Sequence, residues 1–407
     1  MFAEETIRQI KSKHPIEGII SLESTLSSIG KDSYICKCPL HKGNADTMIV
    51  DSSTGTFHCF ECGASGDIFD YSCHKFDISF HEALRWLTQR SGLKTLEAAE
   101  SDNYRLYQMN FEALKFFHGN LSKPEGKKAL DYLTNTRKLT KETILKYRLG
   151  SAPDRWDSLK QHMLGLGYSE EELLDASLIS RSSKTGKTYD FYIDRAIFPF
   201  VDLNGRIKGF GGRTLNQNDR RKYLNSKDTA VYSKKNFLFS LNFAKKYLEQ
   251  DIPLLLVEGN LDVVTLNQFG FPYAAASCGT ALTSFQAEII KEHTDRVIIC
   301  YDNDEAGEKA TVKAINLLES AGLKVYVMRL FGANDPDEYI RKFGSIAFKN
   351  EISKSYTALE YKVLLCMRGL DMAEEKDKEK FFKKLYKEIL PKYDDKEVLK
   401  IIEKYRI

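Results

Sequence analysis

The chain has 407 residues, 42% hydrophobic and 29% charged, with a net charge of only +3, so it reads as a globular protein too long for a single ordinary domain. Its apolar runs reach only about five to seven residues, far below the roughly 20 that span a bilayer, and the charged start MFAEETIRQIKSKHP has no apolar signal region. Eight scattered cysteines do not make a secreted disulfide scaffold; a cytoplasmic protein with no membrane partner is expected.

The first motif along the chain is a pair of ligand doublets, Cys38-Pro39-Leu40-His41 and Cys59-Phe60-Glu61-Cys62, separated by 17 residues. Two residues between ligands form a tight knuckle, and three thiolates with one imidazole close the tetrahedron of a structural zinc site. Strands at 34–37, 47–50 and 56–59 complete a zinc ribbon that takes one Zn2+ for folding rather than catalysis. Cys36, one residue from Cys38, has the wrong spacing for a knuckle, and His58 and His74 are weaker ligands still. Lys37, Lys42, Phe57 and Phe60 suit either a single-stranded nucleic-acid surface or, for the two rings, the small ribbon core.

Beyond the ribbon, helices are predicted over 67–75 and 79–91, then a polar linker over 95–104. A second region opens with a helix over 106–119, continues with helices at 129–133 and 141–145, and passes through a loop at 150–156 around Pro153. Lys184 to Thr188 end like a phosphate-binding loop, but Arg181 stands where the leading glycine belongs and no strand precedes it. Strands at 196–201 and 206–210 flank Asp202-Leu203-Asn204-Gly205, whose Asn-Gly is a hairpin signal. From 206 to 235 there are nine basic residues against two acidic ones, a candidate surface for phosphates.

Strand and helix then alternate: strands at 253–257, 273–276, 296–301 and 324–330, helices at 261–269, 284–293 and 305–321, the pattern of a parallel sheet covered by helices. Glu258 follows the first of these strands, Asp302 and Asp304 follow the third, and Asp335 and Asp337 lie just past the fourth. Open parallel sheets bind ligands at the carboxyl ends of their strands, so five carboxylates are expected to converge. Their mutual repulsion is relieved by divalent cations, and hard oxygen ligands suit Mg2+ or Mn2+. Each acid also has a plain alternative: Asp304 caps a helix and Asp335 before Pro336 makes a turn. Residues 352–407 read as a few helices, with the charge run at 374–380 as a solvated connection.

CPLH with HCFECGASGD, the FPFVDLNGRIKGFGGRTL and KYLNSKDTAVYSKK stretches, and VEGNLDVV, YDNDEAG and DPDEYI resemble, in order, the zinc module, polymerase motifs and Toprim acids of bacterial DnaG-type primases. The resemblance implies a multidomain α/β chain: a template-binding zinc ribbon at 1–94, a linker at 95–104, a mixed α+β part of the RNA polymerase domain at 105–237, a Toprim domain at 238–350 and a helical segment at 351–407. It implies synthesis of short RNA primers on single-stranded DNA from ribonucleoside triphosphates, by a monomer. Glu258, Asp302 and Asp304 fall on the principal acids, Glu258 as metal ligand or general base, and Asp262, Asp335 and Asp337 on supporting metal positions. Arg213, Lys222, Asn225 and Lys234 fall on the substrate-facing motifs. Asn260 and Asn303 depart from the family pattern. The 407 residues stop near the end of the polymerase core, so the domain that docks the replicative helicase is expected to be absent. Two rival functions share these motifs: a Toprim nuclease or topoisomerase, and a non-catalytic single-stranded DNA-binding protein.

Overall fold

The computed structural model describes residues 4–405 apart from 42, 44, 77, 79–82, 85, 88–101 and 280. The expected linker over 95–101, most of the helix at 79–91 and Lys42 thus lie outside the described residues, while 102–104, expected as the end of the linker, already belong to the helix Asp102–Asn120. The chain divides into two units, Met1–Val231 and Tyr232–Ile407.

In the first unit, five antiparallel strands run in the order β1 (Ser27–Ser28), β2 (Ser33–Lys37), β3 (Asp46–Asp51), β4 (Thr56–Cys59) and β5 (Ser65–Gly66). β3 and β4 alternate buried with half-exposed residues, the period-2 pattern of a sheet with one covered face. Met48, Val50 and Phe57 from that face pack with Ile10, Ile16, Ile20, Phe69 and Tyr71. Phe57 is 2% exposed and meets Tyr71 edge-on, so this ring belongs to the ribbon core rather than to a stacking surface.

The same unit holds a second sheet, β11 (Tyr223–Asn225), β10 (Ile207–Thr214), β9 (Arg195–Val201) and β6 (Gly150–Ala152), in that order, and apart from it the hairpin β7 (Ile179–Arg181) with β8 (Thr188–Asp190), so a short strand does precede Lys184, contrary to expectation. The Asn-Gly turn joins β9 to β10: Gly205 has φ +79°, and Asp202 Oδ1 accepts from the amides of Asn204 and Arg206. Residues 150–152, expected as loop, form β6 against β9. A three-residue strand has no alternation to read; tertiary packing makes it, with Gly150 so close to the helix Asp102–Asn120 that a Cβ there would stand 2.7 Å from Phe117.

The second unit is built on β12 (Leu254–Val257), β13 (Ala274–Ala276), β14 (Arg296–Ile299), β15 (Lys324–Val327) and β16 (Tyr356–Thr357), arranged β13-β12-β14-β15-β16. The three pairings among β12 to β15 are parallel, as expected, and β16 adds an antiparallel edge from within the helical segment. Leu254, Leu256, Val297, Ile299, Val325 and Val327 put a continuous aliphatic layer under the helices, as a sheet covered on both faces requires. The chain passes from β12 outwards to β13, then crosses back to place β14 on the other side of β12. The topological switch point therefore lies between β12 and β14, where Glu258 and Asp302 emerge.

The charge run at 374–380 is not a connection. It enters the helix Glu375–Glu388, in which Lys378–Glu375 and Lys380–Asp377 pair at i,i+3 and Phe381 and Leu385 are buried. Charged residues on one face hid an amphipathic helix whose apolar positions begin only at Phe381.

Candidate active site and zinc centre

Cys38, His41, Cys59 and Cys62 place one donor atom each within 4.8 Å of all the others. Cys38 Sγ is 3.9 Å from Cys62 Sγ, and Cys59 Sγ is 3.8 Å from His41 Nδ1. A zinc ion about 2.3 Å from each sulfur gives tetrahedral edges of ~3.8 Å, so the donor set is spaced for Zn2+. The knuckles supply amide donors to the sulfurs: Leu40 N lies 3.4 Å from Cys38 Sγ and Cys62 N lies 3.5 Å from Cys59 Sγ. Glu61, between the second pair of cysteines, sits 3.0 Å from His41 Nε2 and leaves Nδ1 for the metal, the carboxylate–histidine arrangement that orients metal-bound imidazoles. Cys36, His58 and His74 do not join the cluster.

At the switch point of the second unit, Asp302 donates its backbone amide to Glu258 Oε1 at 3.2 Å. The carboxylate of Asp302 accepts no hydrogen bond among the described residues. Burial first, then Glu258, Asp335 and Asp304, push its pKa up to about 7. Burial and Asp304 likewise raise Glu258, against the stabilising amide of Asp302. Asp262, from the helix Asn260–Gln268, is 8% exposed and held well above the usual carboxylate range by burial, Asp335, Asp302 and Asp337. Anions that raise one another in this way are relieved by a bound cation, and an all-oxygen donor set fits a hard divalent one.

The cluster is looser than the sequence suggests. Among the described residues, the zinc ligands are the only group of three or more such side chains with donor atoms all within 4.8 Å. Two acids are turned to their own helices: Asp304 Oδ1 accepts from Gly307 N at 2.7 Å, and Asp335 Oδ1 from Glu338 N at 2.6 Å. These are N-caps, each made through one carboxylate oxygen. Asp337 is surrounded differently, accepting from Thr265 Oγ1 at 2.7 Å and pairing with Arg341 at 2.7 Å while 1% exposed. Its amide in turn bonds Asp262 Oδ1 at 3.2 Å, so it braces Asp262.

Two supports were hidden in the motifs. Gly307 brings the start of the helix Glu305–Ser320 onto Asp302, where a Cβ would come within 2.1 Å of the Asp302 carbonyl oxygen. Asn303 bonds Leu330 O through Nδ2 at 3.1 Å and Asn334 O through its amide at 2.7 Å, tying the second acidic loop to the third. Sequence reasoning marked Asn303 only as a departure from the family pattern.

The basic residues divide. On β10 and β11, Gly211 pairs with Asn225 and Arg213 with Tyr223, so Arg213 and Asn225 share one face of the ladder. The Arg213 guanidinium lies 5.2 Å from the Tyr223 ring centroid, and its buried Nε has no hydrogen-bond partner. Lys222 is exposed one residue before β11. Arg195, unnoticed in the sequence, is 2% exposed and reaches Gly212 O at 3.2 Å and Arg221 O at 3.0 Å, fixing both strands beneath this face. Arg206 is ion-paired to Asp202 at 2.9 Å, which removes it from the free positive surface. Lys234 belongs to the second unit, where its carbonyl accepts from Gln286 Nε2 at 3.3 Å.

Comparison with known proteins agrees with this geometry. Three sequence families match in succession: the CHC2 zinc finger over residues 2–103, the N-terminal domain of the DNA primase catalytic core over 116–245, and a Toprim-like domain over 255–340. The DNA primase of Clostridium acetobutylicum is 32% identical over 99% of this chain and 68% of its own length. The zinc-binding and RNA polymerase domains of Aquifex aeolicus primase superpose with a TM-score of 0.77 at 29% identity, over 99% of this chain and 97% of that one. A DnaG primase catalytic domain bound to single-stranded DNA matches 70% of this chain and 88% of its own, with a TM-score of 0.60 and 32% identity. The chain spans between 56% and 68% of the length of the curated primases it matches. No described helix is long and apolar enough to cross a membrane. The chain belongs to the DnaG family of DNA primases.

Proposed function

We propose that the protein synthesises short RNA primers on single-stranded DNA during replication, joining ribonucleoside triphosphates by metal-assisted nucleotidyl transfer. The 3′-oxygen of one nucleotide forms a bond to the α-phosphorus of the next, and the bond from that phosphorus to the departing pyrophosphate breaks. The observation that carries this reading is the Glu258–Asp302 pair at the switch point, two acids brought together at adjacent strand ends and joined by the hydrogen bond from the Asp302 amide to Glu258 Oε1.

In this reading Glu258, Asp302 and Asp304 hold Mg2+ or Mn2+, with Asp262 and Asp335 completing the acidic surface and Asp337 bracing Asp262. A divalent ion there would polarise the triphosphate and ease loss of the 3′-hydroxyl proton. Arg213, Lys222, Asn225 and Lys234 are the residues that bind substrate phosphates. Cys38, His41, Cys59 and Cys62 bind a structural Zn2+ that shapes the template-binding ribbon within 1–94; the linker is 95–104, and 105–237, 238–350 and 351–407 form the polymerase core. The protein works in the cytoplasm as a monomer, alongside a replicative helicase.

Incubation with single-stranded DNA, labelled ribonucleotides and Mg2+ tests the reading. Short RNA products are expected. Nicked DNA would instead assign a Toprim nuclease, and bound but unaltered DNA a non-catalytic binding protein.

A further inference from the structure

Just past β15 the second unit exposes two rings close to its acidic loops. Phe331 is 62% exposed and Phe343 42%. Each carries a cation over its face: the Arg329 guanidinium is 5.5 Å from the Phe331 centroid, and Lys342 Nζ is 5.1 Å from that of Phe343. Neither cation is in an ion pair among the described residues.

The rings are rigidly placed. Lys342 Nζ donates to Gly332 O at 3.0 Å, and Gly332 takes φ +87° beside the Phe343 ring, where a Cβ would meet Cζ at 3.4 Å. Phe343 also packs on Tyr339 at 4.7 Å, at the end of the first half of the helix Pro336–Ser353, which breaks at Gly344. The carbonyl of Leu330, one residue before Phe331, accepts from Asn303 between the acids Asp302 and Asp304. Asn334, three residues after Phe331, accepts from the Asn303 amide and bonds Glu338 through its own amide at 2.9 Å. The platform and the acidic site are thus one braced structure.

A single exposed ring is ordinary on a protein surface, but two exposed rings at one loop–helix corner, each with a cation against it, form a patch of the kind that marks a binding site. A ring with an unpaired cation against it matches an unpaired nucleobase next to its phosphate, because the base stacks on the ring while the cation meets the anion. A purely apolar protein partner would leave both cations unanswered. We propose that Phe331 and Phe343, with Arg329 and Lys342, form a stacking surface for unpaired bases of the DNA template strand beside the acidic site. This rests on the primase reading for the identity of the strand, but its test does not need catalysis.

The experiment measures binding of the full zinc-loaded chain, without nucleotides or added Mg2+, to a short fluorescent oligodeoxynucleotide and to its abasic counterpart of equal length. Phe331→Ala is expected to weaken binding to the intact strand about ten-fold, within the range for one lost stack, and to leave abasic binding unchanged. Phe331→Trp is expected to retain the wild-type preference for the intact strand. A 2-aminopurine reporter is expected to be quenched by the wild type and Phe331→Trp, and not by Phe331→Ala. Equal losses on both strands, no loss on either, or a wild-type dimer dissolved by Phe331→Ala with unchanged DNA binding would each overturn the proposal. A wild type that makes no primers yet shows base-dependent binding would remove the primase reading and keep the surface.

Discussion

The amide of Asp302 reaches across the switch point to Glu258 Oε1 at 3.2 Å, so the loop after β14 is held by the very carboxylate that lies at the end of β12. Parallel pairing of Leu256 with Ile299 sets the two strand ends level, and the acids meet because the sheet register leaves them no other place. Replacing either acid should therefore remove metal-dependent chemistry without disturbing the aliphatic layer beneath. Glu258→Gln and Asp302→Asn are each expected to lower primer synthesis by about 100-fold or more, as loss of charge stabilisation in the transition state implies. Single-stranded DNA binding and the circular dichroism spectrum should stay at wild-type levels.

The raised pKa of Asp302 has a consequence for stability. Its carboxyl titrates near about 7 in the folded protein, against ~3.9 in an unfolded chain. Between these values the native state holds a proton that the unfolded chain has released. This contribution is fully present below pH ~4 and is lost as pH rises towards 7. In the Mg2+-free protein the melting temperature should thus fall across that window, and Asp302→Asn should flatten the fall. Millimolar Mg2+ at pH 8 should raise the wild-type midpoint by a few degrees, and the variant's by less. Differential scanning calorimetry of both zinc-loaded proteins with and without added Mg2+ gives all four curves.

Much of this arrangement was legible before any coordinates. The Cys/His doublets, the alternating strands and helices, and the acids at strand ends all follow from spacing and period, because a zinc knuckle and a parallel sheet leave strong local patterns. What escaped was fixed by tertiary contact. Residues 150–152 become β6 through Gly150 packing on Phe117, and the charge run at 374–380 becomes helical because Phe381 and Leu385 find a core. Arg195 reads as one more cation in a basic chain, and only the fold shows it buried under Gly212 and Arg221.

Glu61 belongs to the same class of hidden support. Its carboxylate lies 3.0 Å from His41 Nε2, and Thr47 Oγ1 donates to it at 3.3 Å. Loss of such an orienting carboxylate usually weakens metal binding by about 10- to 100-fold. Glu61→Ala should retain its zinc on purification but release it to a chelator at least about ten-fold more readily. His41→Ala should be purified with little zinc, as measured by atomic emission.

Gly307 permits the closest backbone approach at the acidic site, since a methyl group there would lie 2.1 Å from the Asp302 carbonyl oxygen. That neighbour is main chain and cannot rotate away. Gly307→Ala must therefore shift either the start of the helix Glu305–Ser320 or the loop bearing Asp302, at a cost of about 3 kcal/mol, the upper end for overpacking. Either shift also breaks the cap from Asp304 to Gly307 N. The variant should melt several degrees lower and lose most primer synthesis even where it remains folded. Gly322, with φ +77° and open space around its Cβ position, is the comparison: Gly322→Ala carries backbone strain of about 1 kcal/mol just past the far end of the same helix. It should lower the melting point while leaving the rate per folded molecule unchanged. Primer assays normalised to folded fraction separate the two, because only the glycine at the acids couples stability to chemistry.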